Sequence, residues 1–227
     1  MAQHAAPKRR PARDTRNQLV EAAGTVLREQ GYARASARSI ATTAGVNSAL
    51  VFYHFGSVDQ LLLAALDRSS EQRMAAHRAR AAQAHTLEDL VEVAVDIYRA
   101  DAAGGHLTLF AELVAASVSK PELRPEISRR AQPWMDFVAA EWERVLGGSP
   151  LGRLLPAPDV ANAAITLYLG INLFSVLDED QQRTEAVFDL ARELAPRAKL
   201  LTLRLPGRKG TRTATEHTES TAPAQED

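Results

Sequence analysis

Asn47, Ser48, Ala49, Phe52 and Tyr53 follow Gly45 at a spacing that puts them on one side of a short helix, with Val46 and Val51 on the other. An amide, a hydroxyl, a methyl and two rings can do recognition chemistry. They hydrogen-bond and pack against the base edges of a duplex, whose major groove admits a helix. Phe52, Tyr53 and Phe55 flank His54 as an aromatic block. Exposed rings in a cluster mark a surface that meets a partner. The plainer alternative is a helical hairpin whose glycine only ends a helix.

Bond-making chemistry finds no comparable stretch. There is no His-Glu-x-x-His, Gly-x-Ser-x-Gly, P-loop lysine motif or dinucleotide fingerprint. The histidines at 4, 54, 77, 85, 106 and 217 form no i, i+4 pair for a metal. Cysteine is absent, which removes disulfides, thiolate nucleophiles and cysteine zinc sites. The acids Glu88-Asp89 and Asp178-Glu179-Asp180 fall at expected helix ends or turns, where solvation and the helix dipole account for them. No enzyme, metal or cofactor is expected.

Positioning such a face requires helices. The chain has 227 residues, 45% hydrophobic and only 5% aromatic, with 41 alanines and few β-branched runs. Alanine and leucine lose little entropy in a helix, so an all-α fold is expected. Thr15 opens a helix whose face is Leu19, Ala22, Ala23, Val26 and Leu27, ending at Gly31. Ser36 caps a second, which turns Ile40, Ala41 and Ala44 inward, and Gly45 ends it. A third runs from Asn47 to Phe55, and Ser57 caps a long fourth. The steep crossing of helices two and three needs a small residue at the contact, Ala41, and one tolerant of positive φ at the turn, Gly45.

Charge is divided along the chain. Residues 1–57 hold eight Lys/Arg and three acids, a net +5, on a body of −6. A basic end on an acidic body is the asymmetry of a chain that meets a polyanion, although a solvated tail has the same composition. Residues 1–12, with Pro7 and Pro11, are expected to be a disordered basic arm carrying Lys8, Arg9 and Arg10, with Arg13 just beyond it. Their lead into charge rather than an apolar segment argues against export and for the cytoplasm.

The run Gly45-Val46-Asn47-Ser48-Ala49-Leu50-Val51-Phe52-Tyr53-His54-Phe55-Gly56-Ser57-Val58-Asp59-Gln60-Leu61-Leu62 resembles the signature of the TetR (tetracycline repressor) family of bacterial transcription regulators. Thr15-Arg16, Gly31-Tyr32 and the segment from Ser36 to Ala41 resemble it too, so the likeness covers residues 13–66. It implies a helix-turn-helix DNA-binding domain there and a helical effector-binding and dimerisation domain over 67–205. A disordered tail is expected over 206–227. It implies base or phosphate contacts for Ser36, Arg38, Ser48, Ala49, Tyr53, His54 and Ser57, with Arg38 able to pair with guanine. Lys8, Arg9, Arg10 and Arg13 would add contacts from the arm. Two positions depart from the pattern: Phe52 stands where the family has tyrosine, and Val58 where it has lysine. Each removes a phosphate contact, and the arm is expected to compensate.

Beyond residue 66 further helices are expected, one of them capped by Thr86 and one by Asp159. Val160 to Leu177 is uncharged. About 18–20 apolar residues can span a bilayer. Asn162, Thr166, Asn172 and Ser175 interrupt this run and acids flank it, so a helix buried on all sides is expected instead, with no membrane partner. Val187, Ala191, Leu194, Ala198 and Leu201 repeat at four- and three-residue steps, a seam for another helix, which Pro196 should bend or interrupt. With Ile171 and Phe174 they form the expected interface of a homodimer, whose two short helices would read a palindrome. Tyr98, Phe110, Trp134, Phe137, Trp142 and Tyr168 are expected around a small-molecule pocket, with Arg99, His106, Glu112 and Asn172 as polar contacts. The expected function is a DNA-binding regulator, a repressor released by an effector. The alternative is a helical ligand-binding or interaction protein without a DNA function.

Overall fold

The computed structural model describes residues 12–175, 177–178 and 182–198. The arm residues Lys8, Arg9 and Arg10, the seam residue Leu201, the expected tail and the side chain of His106 lie outside the described residues. What is described is all-α, with no strand: α1 (Ala12–Gln30), α2 (Ala37–Ala44), α3 (Ala49–Phe55), α4 (Val58–Ala81), α5 (Leu87–Gly104), α6 (His106–Ser119), α7 (Arg124–Leu146), α8 (Pro150–Leu154), α9 (Ala157–Ser175) and α10 (Gln182–Arg197). Short 3-10 turns at Tyr32–Arg34 and Pro121–Leu123 precede α2 and α7.

The N-terminal elements follow local rules. The three- and four-residue spacing on α1 buries Leu19, Ala22, Ala23, Val26 and Leu27. Ser36 and Ser39 make a reciprocal capping box at the start of α2, with hydrogen bonds of 3.1 and 2.9 Å. Gly45 ends α2 in the left-handed region, at φ 66°. Its N–H reaches the Thr42 carbonyl, and the Val46 N–H reaches Ala41 at 3.0 Å. That pairing satisfies the carbonyls at a helix end while turning the chain sharply. The Ser57 hydroxyl accepts the Gln60 N–H at 3.1 Å and caps α4.

The core of this head does not stop at residue 66. Leu61, Leu62 and Ile40 belong to the same buried cluster as Leu109 and Leu113 of α6, and α4 runs unbroken from Val58 to Ala81. The head and α6 thus share one close-packed core.

In the body, Thr86 and Asp89 form a second capping box on α5. α7 lies along α9, and α10 lies against α5. Three expectations are corrected here. Asp159 does not cap α9: the Pro156 carbonyl accepts the N–H groups of Asp159 and Val160, so the helix begins at Ala157 and Asp159 sits in its first turn. Its charge still favours the N-terminal end. α9 ends at Ser175 rather than Leu177, and Ala161 is its one fully buried residue among those described. Its apolar residues exceed what one subunit can cover: Leu167, Leu173 and Phe174 are more than half exposed. The short helix α8, capped by Ser149 through the Gly152 N–H, was not expected from the sequence. No single described helix is both long and apolar enough to cross a membrane.

Candidate nucleic-acid interface and cavity

α3 is two-sided. Val51 is fully buried and Leu50 and Phe55 pack partly against the core. Phe52 and Tyr53 stand 56% and 79% exposed on the other side, with Asn47, Ser48 and Ala49 exposed ahead of them. The Asn47 side-chain oxygen accepts the Ala49 N–H at 2.8 Å, whereas the Ser48 hydroxyl makes no cap. Asn47 thus fixes the start of α3 and leaves Ser48 free to face outward. The Tyr53 and His54 rings meet edge-on at 4.9 Å, and Arg16 lies over the Phe55 ring at 5.0 Å.

Ser36 and Arg38 at the start of α2 are exposed beside this face, and Arg38 makes no ion pair among the described residues. Arg13, Arg16 and Arg34 are also exposed. Ser57 is half-buried at the head of α4, where its hydroxyl serves as a cap. Val58 packs partly against the core, so its side chain supplies packing where a lysine would have supplied charge. Apart from Arg13, which falls in the first turn of α1, the described residues expected to read DNA lie on the two short helices or at the caps beside them.

The body holds an open-mouthed cavity of about 310 Å³ between α4, α5, α7 and α9, walled mainly by aliphatic and aromatic groups. Phe110, Trp134, Phe137, Trp142 and Tyr168 line it as expected. Tyr98 and Asn172 do not. Tyr98 is buried behind the wall, against Phe188 at 5.0 Å and edge-on to Tyr168 at 6.1 Å. Asn172 lies beyond the cavity on α9, where its carbonyl accepts the Ser175 hydroxyl. The expected polar contacts are also elsewhere: Arg99 pairs with Glu185, and Glu112 accepts the Tyr32 N–H at 2.7 Å.

The polar wall of the cavity was missed. Arg73 of α4 pairs through Nε with Asp101 of α5 at 2.6 Å and through Nη2 with its second oxygen. The Tyr168 hydroxyl of α9 donates to that same carboxylate. Burial acts to raise the Asp101 carboxyl, but the His77 imidazole 3.6 Å away, the hydrogen bonds from Arg73 and the guanidinium charge outweigh it and hold the pKa low. Burial and the adjacent carboxylate push the Tyr168 phenol up, so it stays a donor. A signal was present in the sequence. Leu66, Ser70, Arg73 and His77 recur at helical spacing, which puts polar side chains on the inward stripe of α4.

The expected dimer residues divide. Phe174 and Leu194 are more than half exposed. Val187 and Ala191 are half-buried. Ile171 instead packs toward Tyr98 and Phe188, and Ala198 toward Trp142. The open apolar face of α9, α10 and the turn between them also holds Leu167, Leu173, Leu177 and Leu190, which were not singled out.

Residues 19–65, the span of the helix-turn-helix, match the family model of bacterial regulatory proteins of the tetR family. The HTH-type transcriptional regulator CymR of Pseudomonas putida is 29% identical over 193 residues, which cover 83% of this chain and 95% of that protein. An HTH-type transcriptional repressor of Mycobacterium tuberculosis is 27% identical, over 77% of this chain and 89% of its own length. The solved structure of the multidrug binding protein EbrR complexed with imidazole superposes with a TM-score of 0.57 at 26% identity, covering 83% of this chain and 95% of that one. Fold, motif and likeness together define a helix-turn-helix transcriptional regulator. Its helix-turn-helix is that of the TetR family of bacterial regulators.

Proposed function

We propose that the protein is a repressor that binds a palindromic operator as a homodimer and leaves it when a small molecule fills the cavity. Residues 13–66 form the reading head and 67–205 the effector and dimerisation body. The observation that carries this reading is the two-sidedness of α3: Tyr53 is 79% exposed on a helix anchored by a fully buried Val51. An exposed ring one turn beyond Ser48 and Ala49 fits contact with base edges and thymine methyls. One seven-residue helix reaches few base pairs, and the apolar strip Leu167, Leu173 and Phe174 suits pairing with a second copy. Release by ligand follows if the filled cavity favours a spacing of the two heads that no longer matches successive major-groove faces.

The likeness to a named repressor supports the sign of regulation, and the likeness to a protein solved with small molecules supports the effector. A mobility shift with DNA from upstream of the protein's own coding sequence tests the reading. Saturable binding that weakens steeply with salt is expected, because phosphate contacts release counterions. Absence of any sequence-preferring complex would refute it.

A further inference from the structure

The cavity carries information about what fills it; this inference rests on the effector reading above. Its size comes first. An engineered apolar cavity of about 150 Å³ accepts a benzene. At about 310 Å³, this one has room for a compact hydrophobe of about two rings. Trp134, Phe137, Trp142 and Phe110 supply flat apolar walls.

Charge comes second. Arg73, Arg130 and Glu141 line the cavity, and each is already neutralised. Arg130 pairs with Glu126 and Asp67, Glu141 with Arg144, and Arg73 with Asp101. A carboxylate entering beside Arg73 would meet the buried Asp101 charge, and a cation would meet the guanidinium. Neither finds an uncompensated counter-charge there.

Donors come third. Trp134 Nε1 donates to Ser70 at 2.7 Å, and the Tyr168 hydroxyl donates to Asp101. Arg73 Nε and Nη2 are engaged with Asp101 and, at 3.1 Å, with Tyr168. Its Nη1 has no hydrogen-bond partner among the described residues. The guanidinium lies over the Trp134 ring at 4.9 Å, beside the aromatic wall.

We propose that the cavity selects an uncharged, two-ring aromatic molecule carrying a hydrogen-bond acceptor, a carbonyl or amide oxygen, which docks on Arg73 Nη1 with its rings against Trp134. Arg73 is then a specificity residue held in place by Asp101 and Tyr168. Neutrality follows from the closed ion pairs, and the acceptor from the open Arg73 donor.

Both tryptophans of the chain line the cavity, so their fluorescence reports its occupancy. Full-length protein is titrated with three probes of one shape: 2-naphthamide, 2-naphthoate and 2-naphthylmethylammonium. The amide is expected to quench with a Kd at least tenfold below that of either ion. In Arg73→Lys, which keeps a cation for Asp101 but loses the guanidinium fork, amide affinity is expected to fall about tenfold while the two ions change little. Binding of naphthoate or the ammonium as tight as the amide overturns the proposed class and leaves the effector cavity standing. An Arg73→Lys protein that binds the amide as wild type does overturns the docking atom. Quenching by none of the three at millimolar concentration overturns this proposal and the effector cavity together.

Discussion

Lys120, just past the end of α6, reaches Asp59 in the first turn of α4 at 2.8 Å, and so ties the body to the helix that leaves the reading head. The Tyr32 hydroxyl donates to the same carboxylate at 2.6 Å, and the Lys120 ammonium lies over the Tyr32 ring at 5.4 Å. A second bond joins the Tyr32 N–H to Glu112 of α6. The junction thus combines buried leucines with a polar clasp, and a ligand that shifts α6 has a direct route to the head.

Acid should open both this clasp and the cavity wall. Burial acts to raise the Asp59 carboxyl, but hydrogen bonds from Lys120 and Tyr32 outweigh it, and its pKa is lowered; Asp101 is lowered likewise. A carboxyl held below its unfolded pKa of about 3.9 adds stability above that pH and loses it as pH falls through the folded value. Urea unfolding across pH 2–5 should show stability rising with pH. Asp101→Asn should flatten part of that slope. At neutral pH it should lower stability by about 3–5 kcal/mol, since Arg73 is left without its buried partner. An unchanged slope in that variant would show that Asp101 has no part in it.

Gly45 sits at φ 66° with nothing within 4 Å of where a Cβ would stand. Its requirement is conformational rather than steric. Gly45→Ala should lower stability by about 1–2 kcal/mol, the cost of a left-handed L-residue, and weaken DNA binding by disturbing the angle between α2 and α3. Thermal melts and a binding isotherm check this pair. Wild-type values in both would mean that the turn does not need its glycine.

The reading face can be tested without touching the core. Tyr53→Ala should leave the melting temperature within a degree or two and weaken operator binding at least tenfold, because the ring contacts little in the free protein. Arg38→Ala should cost about 1–3 kcal/mol of binding and relax preference at one base position. Selection from randomised DNA shows whether that preference moves. Loss of affinity spread evenly over all sequences would make Arg38 a phosphate contact instead.

Leu173→Lys combined with Phe174→Lys should give a folded monomer. Both side chains are about two-thirds exposed in one subunit, so charge there removes a pairing surface without emptying a core. Sedimentation of the variant beside wild type decides it. A variant dimer as stable as the parent would put the interface elsewhere.

What the sequence made legible was local. Ser36, Gly45, Ser57 and Thr86 each act within four residues, through a cap or one backbone angle, and each stands where spacing put it. The two faces of α3 follow from the same periodicity. The cavity wall was less legible, because Arg73 meets Asp101 28 residues away and Asp101 meets Tyr168 67 residues away. Helical spacing gives the face of a residue but not which helix will cover it. The type of Tyr98 alone suggests a lining residue, yet Phe188 turns it into core. α8 escaped because five residues, among them a proline and a glycine, carry no usable period. α9 was expected to be covered everywhere, since apolarity alone does not distinguish a neighbour in the same chain from one in another.

The central claim is that α3 reads duplex DNA twice, from a pair of subunits. Its most direct test is fluorescence anisotropy of full-length protein on its selected operator and on the same DNA with one half-site scrambled, with stoichiometry and salt dependence measured together. The account predicts two subunits per operator, half-sites about 10 bp or a multiple of that apart, a linear fall of log K with log salt, and a loss of at least a hundredfold on the scrambled DNA. Equal affinity for the intact and scrambled DNA, or binding that survives Tyr53→Ala and Arg38→Ala together, would contradict it.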